Sequence, residues 1–278
     1  MAADFDWPEP RPLPWRLLSR VDWVTGVSQL FGSSFDAVIL YHSVGGVSGT
    51  EYRWDLPVNH FRAQLKKLNE RFEIVDLATL IEQPESRRKR VAVTFDDAFR
   101  NVYQYVIPVI REFDLPATVF VCPDYIGDEN TSRLRKRHDM RPSASEIVMT
   151  APQIQDLASD DRFTIGNHTL THPDLTTLND EDALREEIVG SKETLEDRYG
   201  VTVDQFSYPY GAIDDAAASI VADTHDLAVT SRPALLEADR NPYDIPRLDA
   251  CQPASVLTFE TTDLSARLRR AVRRSALS

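Results

Sequence analysis

Five side chains of this sequence have the types and spacing of a hydrolytic metal site. Asp96 and Asp97 stand side by side at the end of the apolar run VAVTF (91–95). His168 and His172 lie four apart in HTLTH. His42 closes AVILYH (37–42). Two imidazoles and a carboxylate are the donor set of a catalytic divalent site that keeps open positions. A second carboxylate beside them could take a proton from an activated water. Each signal alone has a plainer reading. Asp97 could cap a helix beginning near Phe99, since Asp is a favoured N-cap. One cap needs only one carboxylate, so Asp96 stays unexplained. A lone HxxxH is common in solvated loops, and Thr169 excludes the H-E-x-x-H form of the metalloproteases. A lone His42 is more often a hydrogen-bonded core histidine than a catalytic one. The combination is more specific than its parts.

These residues need elements that bring them together. From residue 37 onward short strand-like runs alternate with helix-like stretches, which implies a mainly parallel sheet. The segment 58–72 carries Phe61, Leu65, Leu68 and Phe72 at helical spacing. NVYQYVIPVIREFD reads as a helix with Pro108 as a kink. Thr150 reads as the N-cap of a helix with Pro152 in its first turn. NDEDALREEIVGSKETLEDRYG reads as one long helix, opened by Asn179 and stopped by Gly200. Seven or eight such units in about 240 residues favour closure into a barrel, with an open doubly wound sheet as the alternative. A barrel puts its chemistry at the C-terminal ends of its strands. His42, the Asp96–Asp97 pair and Asn167–His168 all fall there. SYPYG (207–211) ends another strand, and Arg247 and Asp249 lie in the last one.

The chain has 278 residues and a net charge of −13, so its surface repels nucleic acid phosphates. The sequence contains no run of about 18 apolar residues of the kind that crosses a membrane as a helix. The acidic, Pro-rich start lacks the basic segment and apolar run of a secretion signal, which points to a cytoplasmic protein. Cys122 and Cys251 are too few and too far apart for a disulfide framework and read as buried small hydrophobes. Residues 1–35 read as an N-terminal arm, 36–252 as the barrel and 253–278 as a basic helix. Arg267, Arg269, Arg270, Arg273 and Arg274 of that helix could touch an anionic membrane surface, although a merely solvated face is the commoner case.

TFDD, HTLTH and SYPYG, in this order and at strand ends, resemble the polysaccharide deacetylases of carbohydrate esterase family 4, the NodB-homology domain. ILYHSVGG ahead of TFDD is similar to the subgroup containing the poly-N-acetylglucosamine deacetylases. The likeness runs from about residue 37 to about 250 and includes FRAQLKKLNERFEIVDLATL and LPATVFV. It implies an α/β fold, a distorted (β/α)7 barrel. It also implies divalent-metal-dependent hydrolysis of N-acetyl groups on amino sugars, with zinc the usual metal. By the same resemblance Asp96 is the catalytic base, and Asp97, His168 and His172 hold the metal. Tyr208, Pro209 and Tyr210 form a groove wall, with the Tyr210 backbone N–H on the oxyanion. His42 is the general acid.

Three departures from the family pattern matter. Ala98 replaces a Gly, and Ala tolerates positive φ poorly. Ser207 stands where an Arg would orient the catalytic Asp, and Arg247 is the nearest substitute. The late Leu-x-x-His motif is missing, because no His follows His225, which favours His42 as the acid. The expected substrate is an acetylated amino-sugar polymer or glycoconjugate. The alternatives are a lipid- or nucleotide-linked amino sugar, or a non-catalytic carbohydrate-binding protein on the same fold.

Overall fold

A computed structural model describes residues 13–25, 36–46, 55–83, 89–137, 146–237, 239–262 and 264–268. Among the described residues ten short strands are formed: β1 (Ala37–Tyr41), β2 (Ser43–Val44), β3 (Asp55–Leu56), β4 (Glu73–Ile74), β5 (Arg90–Phe95), β6 (Ala117–Val121), β7 (Phe163–Asn167), β8 (Gln205–Ser207), β9 (Leu227–Val229) and β10 (Leu248–Asp249). The main sheet runs β10-β1-β5-β6-β7-β8-β9, with β4 added beside the start of β5. Its described ladders are all parallel. β1, β5 and β6 are buried along their whole length. That is why they read as unbroken apolar runs rather than alternating ones.

The segment 242–249 brings the two edges of this sheet together. Ile245 bridges Val229 in parallel, and Leu248 then pairs with Ile39. Ile245 N donates to Ala228 O at 3.0 Å, Thr230 N to Ile245 O at 2.8 Å, and Ala250 N to Leu40 O at 2.9 Å. The result is a distorted α/β barrel. Val38, Ala92, Phe120, Leu227, Val229 and Ile245 form one buried cluster inside the ring, to which the helix Leu77–Glu82 adds Leu77 and Leu80. A larger cluster lies between the sheet and its surrounding helices.

The helices follow local rules with two instructive exceptions. Asp76 caps Leu77–Glu82 by accepting from Thr79 N, and Gln153 reaches back to Thr150 N at 2.9 Å, as the capping signals require. The Pro108 helix is widened rather than simply kinked. A π-turn, Val102–Val106, precedes the regular helix Ile107–Phe113, which holds the proline in its first turn. The long helix expected from Asn179 is instead capped by Asp180. It runs as Glu181–Arg185 and Ser191–Tyr199 with a π-turn, Glu186–Gly190, between them. An acidic first turn signals a helix start but does not choose between adjacent Asn and Asp caps.

Within the expected N-terminal arm, Leu13–Thr25 is helical. Near the other end the helix Ala254–Glu260 stops at Thr261, and a further helical stretch covers 264–268. Arg269, Arg270, Arg273 and Arg274 lie outside the described residues.

Gly166 of β7 sits opposite Phe120 of β6. A Cβ there would lie 2.4 Å from the Phe120 ring, and that ring also underlies the Arg247 guanidinium, 5.7 Å from the ring centroid. Overpacking at such a point costs about 1–3 kcal/mol. Gly166→Ala is therefore expected to lower unfolding stability by that amount, measured by urea denaturation.

Candidate active site

β5 delivers the acid pair. Asp96 N still donates to Tyr41 O at 3.0 Å, continuing the strand ladder one residue beyond Phe95. The chain then turns sharply, with Asp97 at φ 66° and Ala98 at φ 46°. Both occupy the left-handed region, which costs a non-glycine residue on the order of 1 kcal/mol. Ala98 thus adopts the conformation that a Gly would adopt without strain. Asp96 and Asp97 are both buried.

A second strained loop carries the histidines. Thr169 has φ 66° and His172 φ 56°. Asn167, the last residue of β7, holds this loop from below. Its carbonyl oxygen accepts from Thr169 N at 2.9 Å and from Ser191 Oγ at 2.7 Å. Its amide donates to Ile188 O at 2.7 Å and meets His225 Nε2 at 3.1 Å. Thr169 Oγ1 accepts from His172 N at 3.0 Å. The π-turn of the long helix also faces the loop. Glu187 O accepts from Leu170 N, and the Glu187 carboxylate takes both Thr171 N and Thr171 Oγ1.

His168 Nδ1 donates to Ser207 O at 2.7 Å, which leaves the Nε2 lone pair facing inward. His168 Nε2 lies 3.8 Å from Asp97 Oδ1, and His172 Nε2 lies 3.4 Å from the same oxygen. Asp97, His168 and His172 are all buried, and each offers one donor atom within 4.8 Å of the others. Two neutral imidazoles and one carboxylate at this spacing fit a divalent cation, with zinc compatible with the donor chemistry. The three residues could hold such an ion.

Asp96 faces the same pocket, with its Oδ2 3.9 Å from His168 Nε2. Its main partner comes from the far end of the chain. Arg247 Nη1 donates to Asp96 Oδ1 at 2.8 Å and Nη2 to Oδ2 at 2.7 Å, a two-pronged pair. Arg247 Nε is spent on Thr230 O at 2.9 Å, and its remaining donors meet Thr94 Oγ1 and Ser207 Oγ. Ser207 is small enough to leave room for the guanidinium and adds its own hydroxyl to the Asp96 carboxylate at 3.3 Å. Burial pushes the Asp96 carboxyl up. Arg247, His168 and His42 outweigh burial and hold it down at about 2. His42 directly follows β1 and is half-buried, within electrostatic reach of Asp96.

The SYPYG residues separate. Tyr210, at φ 62°, is 47% exposed and stands edge-on to His172 with ring centroids 5.0 Å apart. Pro209 is buried. Tyr208 does not line the groove as expected. It is fully buried and packs edge-on against Phe206 in the cluster behind β8. Strand alternation explains this, because Ser207 faces the pocket and its neighbours Phe206 and Tyr208 cannot both follow it.

A buried donor triad and a clamped carboxylate on the C-terminal rim of a parallel barrel define a hydrolase site. The polysaccharide deacetylase family model matches residues 83–226, just over half of the chain. The chain belongs to the polysaccharide deacetylase family and is a hydrolase of acetamido sugars. Among its relatives, YxkH of Bacillus subtilis, named for the same family, is 24% identical over 76% of this chain and 70% of its own length. The poly-beta-1,6-N-acetyl-D-glucosamine N-deacetylase of Staphylococcus epidermidis is 22% identical over 60% of this chain and 56% of its own. Among solved structures, IcaB from Ammonifex degensii superposes with a TM-score of 0.65 at 20% identity, covering 82% of this chain and 98% of that one.

The sequence shows Asn167 only as a polar residue at a strand end beside His168, and nothing in it marks His225 as part of the site. Thr224 Oγ1 donates to Ile220 O, so His225 Nδ1 must donate to Thr224 Oγ1, and Nε2 accepts from Asn167. The ring is therefore neutral. Burial first, then the nearby Lys192 charge, pull its pKa down to about 3 against a small opposing effect of the Val221 backbone bond. The unfolded chain binds the proton near pH 6.5 and the folded one only near 3, so stability falls as pH drops below 6.5. The slope from this group is about 1.4 kcal/mol per pH unit. The expected loss is about 1.4 kcal/mol between about pH 7.5 and 5.5. Urea unfolding of the wild type should show it, and His225→Gln should remove that share of the pH dependence.

Proposed function

We propose that this protein removes the N-acetyl group from an N-acetylglucosamine-type polymer or glycoconjugate, using a divalent metal, and releases acetate. One observation carries the reading. Three buried metal-type donors and a separate carboxylate gripped by Arg247 face one pocket at the barrel rim. The similarity to the Staphylococcus poly-N-acetylglucosamine deacetylase supports the substrate class.

Asp97, His168 and His172 would hold the ion, which when bound supplies Lewis acidity toward the acetamide carbonyl and the attacking water. Asp96 accepts a proton from that water at its carboxylate. Arg247 keeps this carboxylate ionised and fixes its plane, so that one oxygen edge faces the pocket. The backbone N–H of Tyr210 donates to the developing oxyanion. The Tyr210 ring, exposed beside His172, offers an apolar face to the sugar. His42, directly after β1 and within electrostatic reach of Asp96, protonates the departing amine. The C–N bond breaks, acetate leaves, and the amino sugar carries the proton.

Acetate release from an N-acetylglucosamine oligomer, with and without a chelator, tests the reading directly. Asp96→Asn should reduce turnover by about 10²–10⁴-fold while bound metal stays near the wild-type level. His42→Ala should slow turnover without removing metal, and metal loss there would reassign His42 as a ligand. Undiminished acetate release by Asp96→Asn would refute the base assignment.

Arg247→Lys keeps a charge but loses the fork. Its kcat should fall by at least about tenfold, with KM and metal content little changed, because Asp96 is then held by one bond rather than two. Steady-state kinetics and metal analysis of the same preparation check this.

A further inference from the structure

We propose that the outer face of the helix Leu13–Thr25, with the arginines beside it, docks on an anionic lipid surface. Among the described residues seven large apolar side chains are strongly exposed, and five of them lie on this one helix: Leu13, Leu17, Leu18, Val21 and Val24. Leu13, Leu17, Val21 and Val24 are spaced four, four and three apart, so they share one face. The opposite face is the one that is buried. Trp15 stands edge-on to Phe259 at 5.4 Å, Ser19 and Asp22 are buried, and Asp22 pairs with Arg71 at 3.7 Å.

This polarity is inverted. An ordinary surface helix turns its apolar stripe to the core and its polar stripe to water. Here the helix is anchored by a mixed face and shows leucine and valine outward. It is about 20 Å long, too short to span a bilayer, and no described helix is long and apolar enough to do so. Such a helix can lie in the plane of a lipid interface, with its apolar residues among the acyl chains and basic residues at the headgroups.

Charge selects the occupant. The whole chain carries −13, which repels an anionic surface. The described segments 13–25 and 264–268 run against that balance. They contain Arg16, Arg20 and Arg267, and a single acid, Asp22, which is buried. At 100° per residue, Arg16 and Arg20 lie along one flank of the apolar stripe. The helix Ala254–Glu260, on which Leu13–Thr25 packs, leads within a few residues to exposed Arg267. A second copy of the chain seated on this face would bring like charges together across a two-fold axis. Anionic headgroups around a row of leucines and valines match both features at once.

The test is flotation of the full chain with vesicles. The protein should float with vesicles of phosphatidylglycerol and phosphatidylcholine and remain behind with phosphatidylcholine alone, and added salt should release it. Leu17→Asp with Val21→Asp changes only exposed positions and should weaken binding by at least about tenfold. Arg16→Gln with Arg20→Gln should weaken it by about tenfold and flatten the salt dependence. Acetate release from a soluble oligomer should be the same in all three proteins. Absence of flotation with the anionic vesicles would overturn the proposal, as would binding that the Leu17→Asp/Val21→Asp variant retains. A wild-type dimer that this variant dissociates, without vesicle binding, would assign the face to a second copy instead.

Discussion

The two-pronged pair between Arg247 and Asp96 is the interaction on which the rest of this structure depends. Both groups are buried, so each would be costly alone, and a buried charge left without its partner destabilises a protein by about 3–5 kcal/mol. Arg247 lies in the segment that closes the sheet between β9 and β1, while Asp96 directly follows β5. Closing the barrel and neutralising the buried carboxylate are therefore one event. The guanidinium also satisfies Thr230 O, Thr94 Oγ1 and Ser207 Oγ and lies over the Phe120 ring. All five of its N–H donors are engaged, which is the condition under which a buried ion pair is tolerated.

The metal-type donors rest on a different device. Their backbones occupy conformations that a non-glycine residue adopts at a cost, at Asp97, Ala98, Thr169 and His172. Such strain persists only where surrounding bonds over-determine it. In the histidine loop Asn167 supplies such a bond to Thr169 from the end of β7, backed by His225, Ser191 and the π-turn of the long helix, and at the acid pair Ala98 O accepts from Met149 N. The widened turn has a physical role here, because it points the Glu187 and Ile188 carbonyls at the loop. Helix irregularity and loop strain thus belong to one construction.

The sequence alone makes the site partly legible. Asp96, Asp97, His168, His172 and His42 stood at strand ends, and the barrel does bring the first four into one pocket, with His42 in electrostatic reach. Strand ends are read from short apolar runs, a local property. SYPYG reads as one wall in sequence, whereas alternation sends Tyr208 into the core and leaves Tyr210 outside. The Asp180 cap and the two π-turns were missed because neighbouring polar residues give nearly equal capping signals and a π-turn leaves no simple periodic trace.

By itself the sequence determined the alternation of strands and helices, and with it a parallel sheet whose C-terminal rim carries the acids and histidines. It did so because apolar runs, caps and turn residues act over a few positions. The sequence offered Arg247 as the substitute for the arginine missing at Ser207, but only the tertiary structure decided that its guanidinium grips both oxygens of Asp96, 151 residues away. It also decided that His225 supports Asn167 across 58 residues, and that the helix Leu13–Thr25 turns its leucines outward. Those outcomes depend on which surfaces meet once the barrel closes, and a side chain's partner across that distance leaves no mark in its own neighbourhood of the chain.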